Sequence, residues 1–205
     1  MTISLRAFAA ACVGLALAPA IAADAPANLQ HGRQLAQACA ACHGADGNTS
    51  DPQRYPNLAA QAPAYVELQL ENFKSGERPN PVMKPIAAQL KPSDMRDLGA
   101  YYGAQAAKPQ PSSNRRLEGQ GRRIYMQGSV GGASACASCH GADGHGQGAA
   151  PRVASQPAPY LLEQLRVYST VPSFNNPLAM QMKGVAVKLK ADEMKAAAAY
   201  IATLP

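Results

Sequence analysis

The sequence of 205 residues has no tryptophan, three phenylalanines and eight tyrosines, so aromatic residues make up only 5% of it. So few aromatic side chains leave little material for a large apolar core, and small domains of this kind usually need an additional constraint to be stable. Basic residues outnumber acidic residues by 19 to 13, but they form no cluster interleaved with aromatic residues. The composition therefore argues against nucleic-acid binding.

Long apolar runs are equally scarce. Residues 7–20 form the main one, and it is shorter than the roughly 20 residues that span a bilayer. It follows a short start with one charge and precedes Ala20-Ile21-Ala22, a small-x-small cleavage pattern, so we predict a secretory signal peptide over residues 1–22. The expected mature protein is periplasmic and has no membrane span, with peripheral membrane association if the signal stays uncleaved.

Cleavage would remove Cys12 and leave four cysteines, all in two copies of the pattern Cys-x-x-Cys-His: residues 39–43 and 136–140. This pattern is typical of covalent c-type haem attachment, because two thiols bond the porphyrin edge while the adjacent imidazole ligates the iron. Zinc ribbons place their cysteine pairs about 15–20 residues apart. Here the pairs are 97 positions apart. Disulfides would leave both histidines unexplained. We therefore predict two covalently bound haems c, with thioether bonds and iron ligands supplied by Cys39, Cys42, Cys136, Cys139, His43 and His140.

The two motifs belong to an internal repeat. Both continue as Cys-His-Gly-Ala-Asp-Gly, and an Asp-Gly pair favours a turn. Proline and serine in residues 108–114 indicate a linker, so we predict domains at 23–108 and 117–205 joined by residues 109–116. The later apolar patterns predict helices in both copies, over residues 65–73, 92–105, 160–168 and 191–204. The expected fold is all-α, with each domain wrapped round one haem.

The sixth iron ligand separates an electron carrier from an enzyme, since an open iron position can bind a substrate. Met83 lies in a proline-flanked segment that we expect to be irregular and to cross the distal haem face. In the second copy, the local sequence Met-Lys-x-Val-Ala selects Met182, whereas distance from the motif selects Met180, which stays the alternative. Met95 and Met194 match each other in the closing helices and are expected to pack in the cores.

The remaining histidines and two prolines have weaker signals. His31 and His145 are expected to be exposed, because His145 follows His140 too closely to reach the opposite haem face. Each haem imidazole needs an acceptor for its second ring nitrogen. The carbonyls of Pro56 and Pro151 are candidates, but on the residues alone these prolines could equally serve only to shape their turns.

Taken together, the tandem motifs and the late Met-x-x-x-Ala-x-x-Leu before a helix resemble the dihaem cytochromes c4 of proteobacteria, over the whole predicted mature chain. The resemblance implies two all-α class I cytochrome c domains that face each other through haem propionates. It also implies Met83 and Met182 as axial ligands, and the carbonyls of Pro56 and Pro151 as imidazole acceptors. The sequence is similar too to the dihaem subunit of flavocytochrome sulfide dehydrogenase.

We therefore expect an electron-transfer protein with no catalysis of its own. Its donor would be a quinol-oxidising complex or a dehydrogenase, and its acceptor a terminal oxidase. The alternative is the electron-accepting subunit of a larger dehydrogenase. A dihaem peroxidase is disfavoured, because it needs an accessible iron and both copies offer a methionine.

Overall fold

The computed structural model describes residues 26–110 and 114–205, and over these ranges the regular structure is helical, without β-strands. The all-α expectation is confirmed. The predicted signal peptide lies outside the described residues. No helix in the described ranges is both long and apolar enough to cross a membrane.

The helices form two consecutive units. The first contains α1 Leu29–His43, α2 Pro63–Ser75, α3 Met83–Ala88 and α4 Pro92–Gly103. The second contains α5 Arg115–Gln127, α6 Ala137–His140, α7 Ala158–Thr170, α8 Pro177–Ala186 and α9 Ala191–Thr203. In each unit the last helix packs against both the first helix and the helix that follows the haem motif: α4 against α1 and α2, and α9 against α5 and α7.

Local sequence signals explain where these helices begin. The Asn28 and Asn114 side chains accept hydrogen bonds from backbone N–H groups in the first turns of α1 and α5, at 3.0 Å each. Asp94 accepts from the Lys91 backbone N–H at 2.8 Å, at the start of α4. Helix α5 begins at Arg115. The predicted linker ran from 109 to 116, so its last two residues lie in the first turn of this helix.

A glycine allows the first and last helices of each unit to approach closely. A Cβ atom at Gly32 would collide with the backbone carbonyl of Asp97 on α4, and one at Gly121 would collide with that of Ala196 on α9. Any larger residue would push the two helices apart. The first and last helices of both units therefore share one crossing geometry.

The predicted turn after each motif is present. Gly47 and Gly144 both have φ of 77°, a left-handed conformation that glycine adopts without strain, and their N–H groups donate to the carbonyls of Gly44 and Gly141. Met95 and Met194 are 1% and 6% exposed, which confirms that they are core residues.

Candidate haem sites

The haem motifs lie at the carboxyl ends of helices, each placing two thiols and an imidazole within one turn. Cys39, Cys42 and His43 end the long helix α1. In the second unit Cys136 precedes the four-residue helix α6, which contains Cys139 and His140. The four cysteines of the two motifs are free thiols, with no disulfide among them.

The chemistry of these thiols fits thioether bonds better than a zinc site. Burial raises the pKa of Cys39, although the Tyr102 hydroxyl partly opposes this, and burial raises the pKa of Cys136 to about 11. A zinc site would require thiolates. Within the described residues, no three His, Cys, Asp or Glu side chains converge closely enough to hold a metal ion.

Each motif histidine has one ring nitrogen engaged by the protein. His43 Nδ1 lies 2.9 Å from the Pro56 carbonyl oxygen, and His140 Nδ1 lies 2.9 Å from that of Pro151. Burial lowers the pKa of both imidazoles, while the proline carbonyls partly offset this effect. A neutral imidazole that donates from Nδ1 leaves the Nε2 lone pair free for a metal, which is the state that an iron ligand requires.

The methionines differ in their surroundings. Met83 packs against the buried cluster of the first unit, and Cys39 packs against the same cluster. Met182 packs against a cluster that contains Leu165, Leu189 and Met194. A second buried cluster in the same unit contacts Cys136. Ile124 and Leu162 contact both clusters, so the two clusters adjoin. In each unit, therefore, a motif cysteine and one methionine border a continuous apolar interior.

Met180 is placed differently. Its side chain is 40% exposed, and its sulfur accepts a hydrogen bond from the Phe174 backbone N–H at 3.2 Å. Met180 is absent from the cluster that Met182 joins. The structure therefore favours Met182 as the counterpart of Met83.

The methionine segments are more regular than expected. Met83 is the first residue of the short helix α3, and the Asn80 side chain accepts from its backbone N–H at 2.8 Å. Met182 lies within α8, whose N-cap residue Asn176 accepts from the Leu178 backbone N–H at 2.8 Å. The expectation of an irregular segment at Met83 was wrong, because a short helix begins there in spite of the flanking prolines, and the Asn80 side chain satisfies the N–H groups of Val82 and Met83 where it begins.

The remaining histidines make other contacts. His31, 41% exposed, pairs its Nδ1 with Asp97 at 2.8 Å. His145 Nε2 lies 2.9 Å from the Pro205 carbonyl oxygen, and its Nδ1 lies 3.2 Å from Asp143.

Sequence reasoning missed the residues that join the two sites. Gln61 and Gln156 were recognised only as matching letters of the repeat, yet both are buried and hydrogen-bond across the boundary between the units. Arg78 adds a further link, donating to Tyr160 and Gln164 of the second unit at 3.0 and 2.8 Å. The available signal was that a glutamine recurs two positions before the start of α2 and two positions before the start of α7.

Comparisons with known proteins agree with this arrangement. The family model for cytochrome c matches residues 29–102 and 120–205. A cytochrome c4 of Thiocapsa roseopersicina is 37% identical over 167 residues, which are 80% of this chain and 85% of that protein. A thiosulfate dehydrogenase electron acceptor of Stutzerimonas stutzeri (strain A1501) is 36% identical over 173 residues, 82% of this chain and 80% of that protein.

A solved structure extends the similarity to the whole two-unit architecture. The crystal structure of reduced recombinant cytochrome c4 from Pseudomonas stutzeri superposes with a TM-score of 0.82 at 29% identity, covering 87% of this chain and all of that one. The relative placement of the two units is therefore part of the similarity.

Proposed function

This chain belongs to the cytochrome c family, with the tandem architecture of the cytochromes c4, and on that premise we propose that it is a periplasmic carrier that passes electrons towards a terminal oxidase. It carries two covalently bound haems c, one in each helical unit. When bound, haem c supplies one-electron oxidation and reduction at its iron. The observation that carries the proposal is that both units repeat the same set of groups: a motif histidine held by a proline carbonyl, and a motif cysteine and a methionine that border one apolar interior.

We infer the ligand pairs His43 with Met83 and His140 with Met182. The cysteines Cys39, Cys42, Cys136 and Cys139 hold the two porphyrins, and the carbonyls of Pro56 and Pro151 orient the imidazoles. A thioether ligand favours the ferrous state and raises the potential, which suits a carrier that delivers electrons to an oxidant.

The proposed ligand sets also argue for a carrier rather than an enzyme, because a histidine and a methionine would together leave the iron no open site for a substrate. The bound haem would supply one-electron transfer without any exchange of these ligands, so the protein would need no substrate pocket. The donor we propose is a quinol-oxidising complex or a dehydrogenase, and the acceptor is a terminal oxidase.

A second role has a specific observation in its favour. One relative that matches most of this chain is named a thiosulfate dehydrogenase electron acceptor. As the second candidate we propose that this chain is the electron-accepting subunit of a dehydrogenase, such as flavocytochrome sulfide dehydrogenase. Purification from native periplasm discriminates the two roles, because a bound subunit co-elutes with its dehydrogenase and a free carrier does not.

The ligand proposal is tested with three methionine variants of the holoprotein. Thioether ligation gives ferric haem c a weak charge-transfer band in the far red. Met83→Ala and Met182→Ala should each abolish one of the two contributions to it, while the matched control Met180→Ala should retain both. The proposed ligand set is wrong if Met180→Ala removes a contribution and Met182→Ala does not.

The carrier proposal is tested on the wild-type holoprotein. The reduced protein should be oxidised rapidly by membranes that contain a terminal oxidase, should bind carbon monoxide poorly and should turn over peroxide negligibly. Rapid carbon monoxide binding together with peroxide turnover would indicate an enzyme instead.

A further inference from the structure

Two glutamines form reciprocal hydrogen-bond pairs across the boundary between the units. Gln156 of the second unit binds the backbone of Asn57: its Oε1 accepts from the Asn57 N–H at 3.1 Å, and its Nε2 donates to the Asn57 carbonyl at 2.6 Å. Gln61 of the first unit binds Arg152 in the same way, at 3.0 and 2.9 Å. Each glutamine therefore binds the backbone N–H and carbonyl of one residue in the opposite unit, through the oxygen and the nitrogen of its side-chain amide.

The two residues bound in this way, Asn57 and Arg152, come directly after the prolines whose carbonyls accept from the haem histidines. The Pro56 carbonyl that accepts from His43 and the Asn57 N–H that donates to Gln156 belong to one peptide group. In the other direction, the Pro151 carbonyl that accepts from His140 shares its peptide group with the Arg152 N–H that donates to Gln61. Each haem imidazole is therefore connected through a single peptide group to a side chain of the opposite unit.

This arrangement is buried and is maintained at an energetic cost. Asn57, Gln61, Arg152 and Gln156 are between 3% and 7% exposed, so water competes little for these hydrogen bonds. The residue before each glutamine is in the left-handed region, with φ of 56° at Ala60 and 60° at Ser155, which is unfavourable for a side chain other than glycine. Backbone strain retained at the same place in both units indicates a constrained function for the segment that presents the glutamine.

We propose that Gln61 and Gln156 are positioning residues, each of which tunes the reduction potential of the haem iron in the opposite unit. The inference rests on the proposed His43 and His140 ligation. A peptide group whose N–H donates a hydrogen bond is polarised, so its carbonyl oxygen becomes a stronger acceptor. A stronger acceptor at Nδ1 makes the imidazole a better electron donor to ferric iron and lowers the potential. Each glutamine therefore lowers the potential on the far side of the boundary.

The test is a pair of variants, Gln61→Met and Gln156→Met, each of which keeps the side-chain length but removes the amide oxygen and nitrogen. Gln156→Met should raise the potential of the haem held by His43, and Gln61→Met that of the haem held by His140. Redox titration followed by NMR, in which the hyperfine-shifted signals of each ferric haem are resolved, reports the two potentials separately. Matched controls are Gln34→Met and Gln127→Met, which make the same substitution at exposed positions of α1 and α5 and should shift neither potential.

Each substitution should shift the potential of the haem in the opposite unit, and this crossed pattern distinguishes a residue that positions the other unit's imidazole from one that only supports the fold. A merely structural role would disturb the haem of the unit that carries the substitution, or both haems equally. Either outcome, or no shift in a variant with wild-type circular dichroism, would overturn the proposal.

A second pair covers the case in which a methionine variant fails to fold. Gln61→Ala and Gln156→Ala remove the same hydrogen bonds but leave room for water, which can replace the lost acceptor. They should still raise the potential of the haem in the opposite unit, and a shift confined to the haem of the substituted unit would contradict the mechanism. If the wild-type spectrum lacks His/Met haems, the proposed ligation fails instead, so the two failures are distinguishable.

Discussion

The two helical units keep the same contacts close to the iron and differ in how the surrounding fold supports them. Both imidazoles lie 2.9 Å from a proline carbonyl oxygen, and the glutamine contacts are mirrored. Farther away, α1 runs without interruption into the haem motif, whereas residues 128–136 separate α5 from α6. The crossing glycine is seven positions before the first cysteine in the first unit and fifteen in the second. The repeat thus tolerates an eight-residue insertion outside the ligand contacts.

The position of a buried tyrosine also differs between the two units. In the first unit Tyr102 of α4, 1% exposed, fills the space beside Gly47, and α1 offers the small Ala36. In the second unit the tyrosine is Tyr125 of α5, fully buried, and α9 offers Ile201. The large ring therefore comes from the last helix in the first unit and from the first helix in the second, and in each unit it shares a buried cluster with the residue that the other helix offers.

The third difference is a carboxylate that links the first and last helices of the first unit. Asp97 of α4 accepts from the Asn28 backbone N–H at 2.7 Å and pairs with His31 at 2.8 Å, so it ties the start of α1 to α4. In the second unit the residue in contact with the crossing glycine is Ala196, which has no such side chain. The first unit therefore carries a charge-dependent restraint that the second lacks.

The largest expected effect comes from removing the thiols of one unit at a time. Cys39→Ala/Cys42→Ala and Cys136→Ala/Cys139→Ala should each lose one covalent haem by mass spectrometry. The second variant should also lose more helical circular dichroism, because α6 has four residues and no continuous helix to hold it, whereas the first motif ends a helix of 15 residues. Equal losses would show that the insertion does not weaken the second unit.

An intermediate effect should appear at low pH. Burial alone would raise the pKa of Asp97, but the hydrogen bonds from Asn28 and His31 hold that pKa below its ordinary value of 3.8. A folded pKa below the unfolded one stabilises the protein above the unfolded pKa, and this contribution is lost as pH falls through the folded pKa. Thermal unfolding between neutral pH and pH 2 should therefore show an acid-induced loss that Asp97→Asn reduces. The control Asp192→Asn, at the exposed start of α9, should unfold with the acid dependence of the wild type.

The smallest effect separates the two tyrosines. The Tyr125 hydroxyl donates to the Gly141 carbonyl at 2.6 Å, so Tyr125→Phe should cost about 1 kcal/mol of unfolding free energy. The buried Tyr102 hydroxyl has no hydrogen-bonding oxygen or nitrogen within the described residues and lies beside the weakly accepting Cys39 thiol. Tyr102→Phe should accordingly be close to neutral in denaturant titration. A larger cost at Tyr102 than at Tyr125 would contradict this assignment.

Repeat spacing explains where sequence reasoning was sufficient and where it was uncertain. The haem motifs are 97 positions apart, the proline and glutamine pairs 95, and Met95 and Met194 99. Counting from the motif therefore pointed to Met180, while the spacing of the closing helices matches Met83 to Met182. Insertions change the spacing locally, so no single offset could identify the methionine.

The sequence by itself determined the haem chemistry, the duplication and the helical class. These depend on local patterns: ligand spacing within one turn, helix caps and apolar periodicity. Only the tertiary structure decided that Gln61 and Gln156 exchange hydrogen bonds between the units, that Met182 rather than Met180 faces the core, and that Asp97 clamps α1. Each of these depends on which atoms meet after residues tens of positions apart have packed, and no local pattern encodes that meeting.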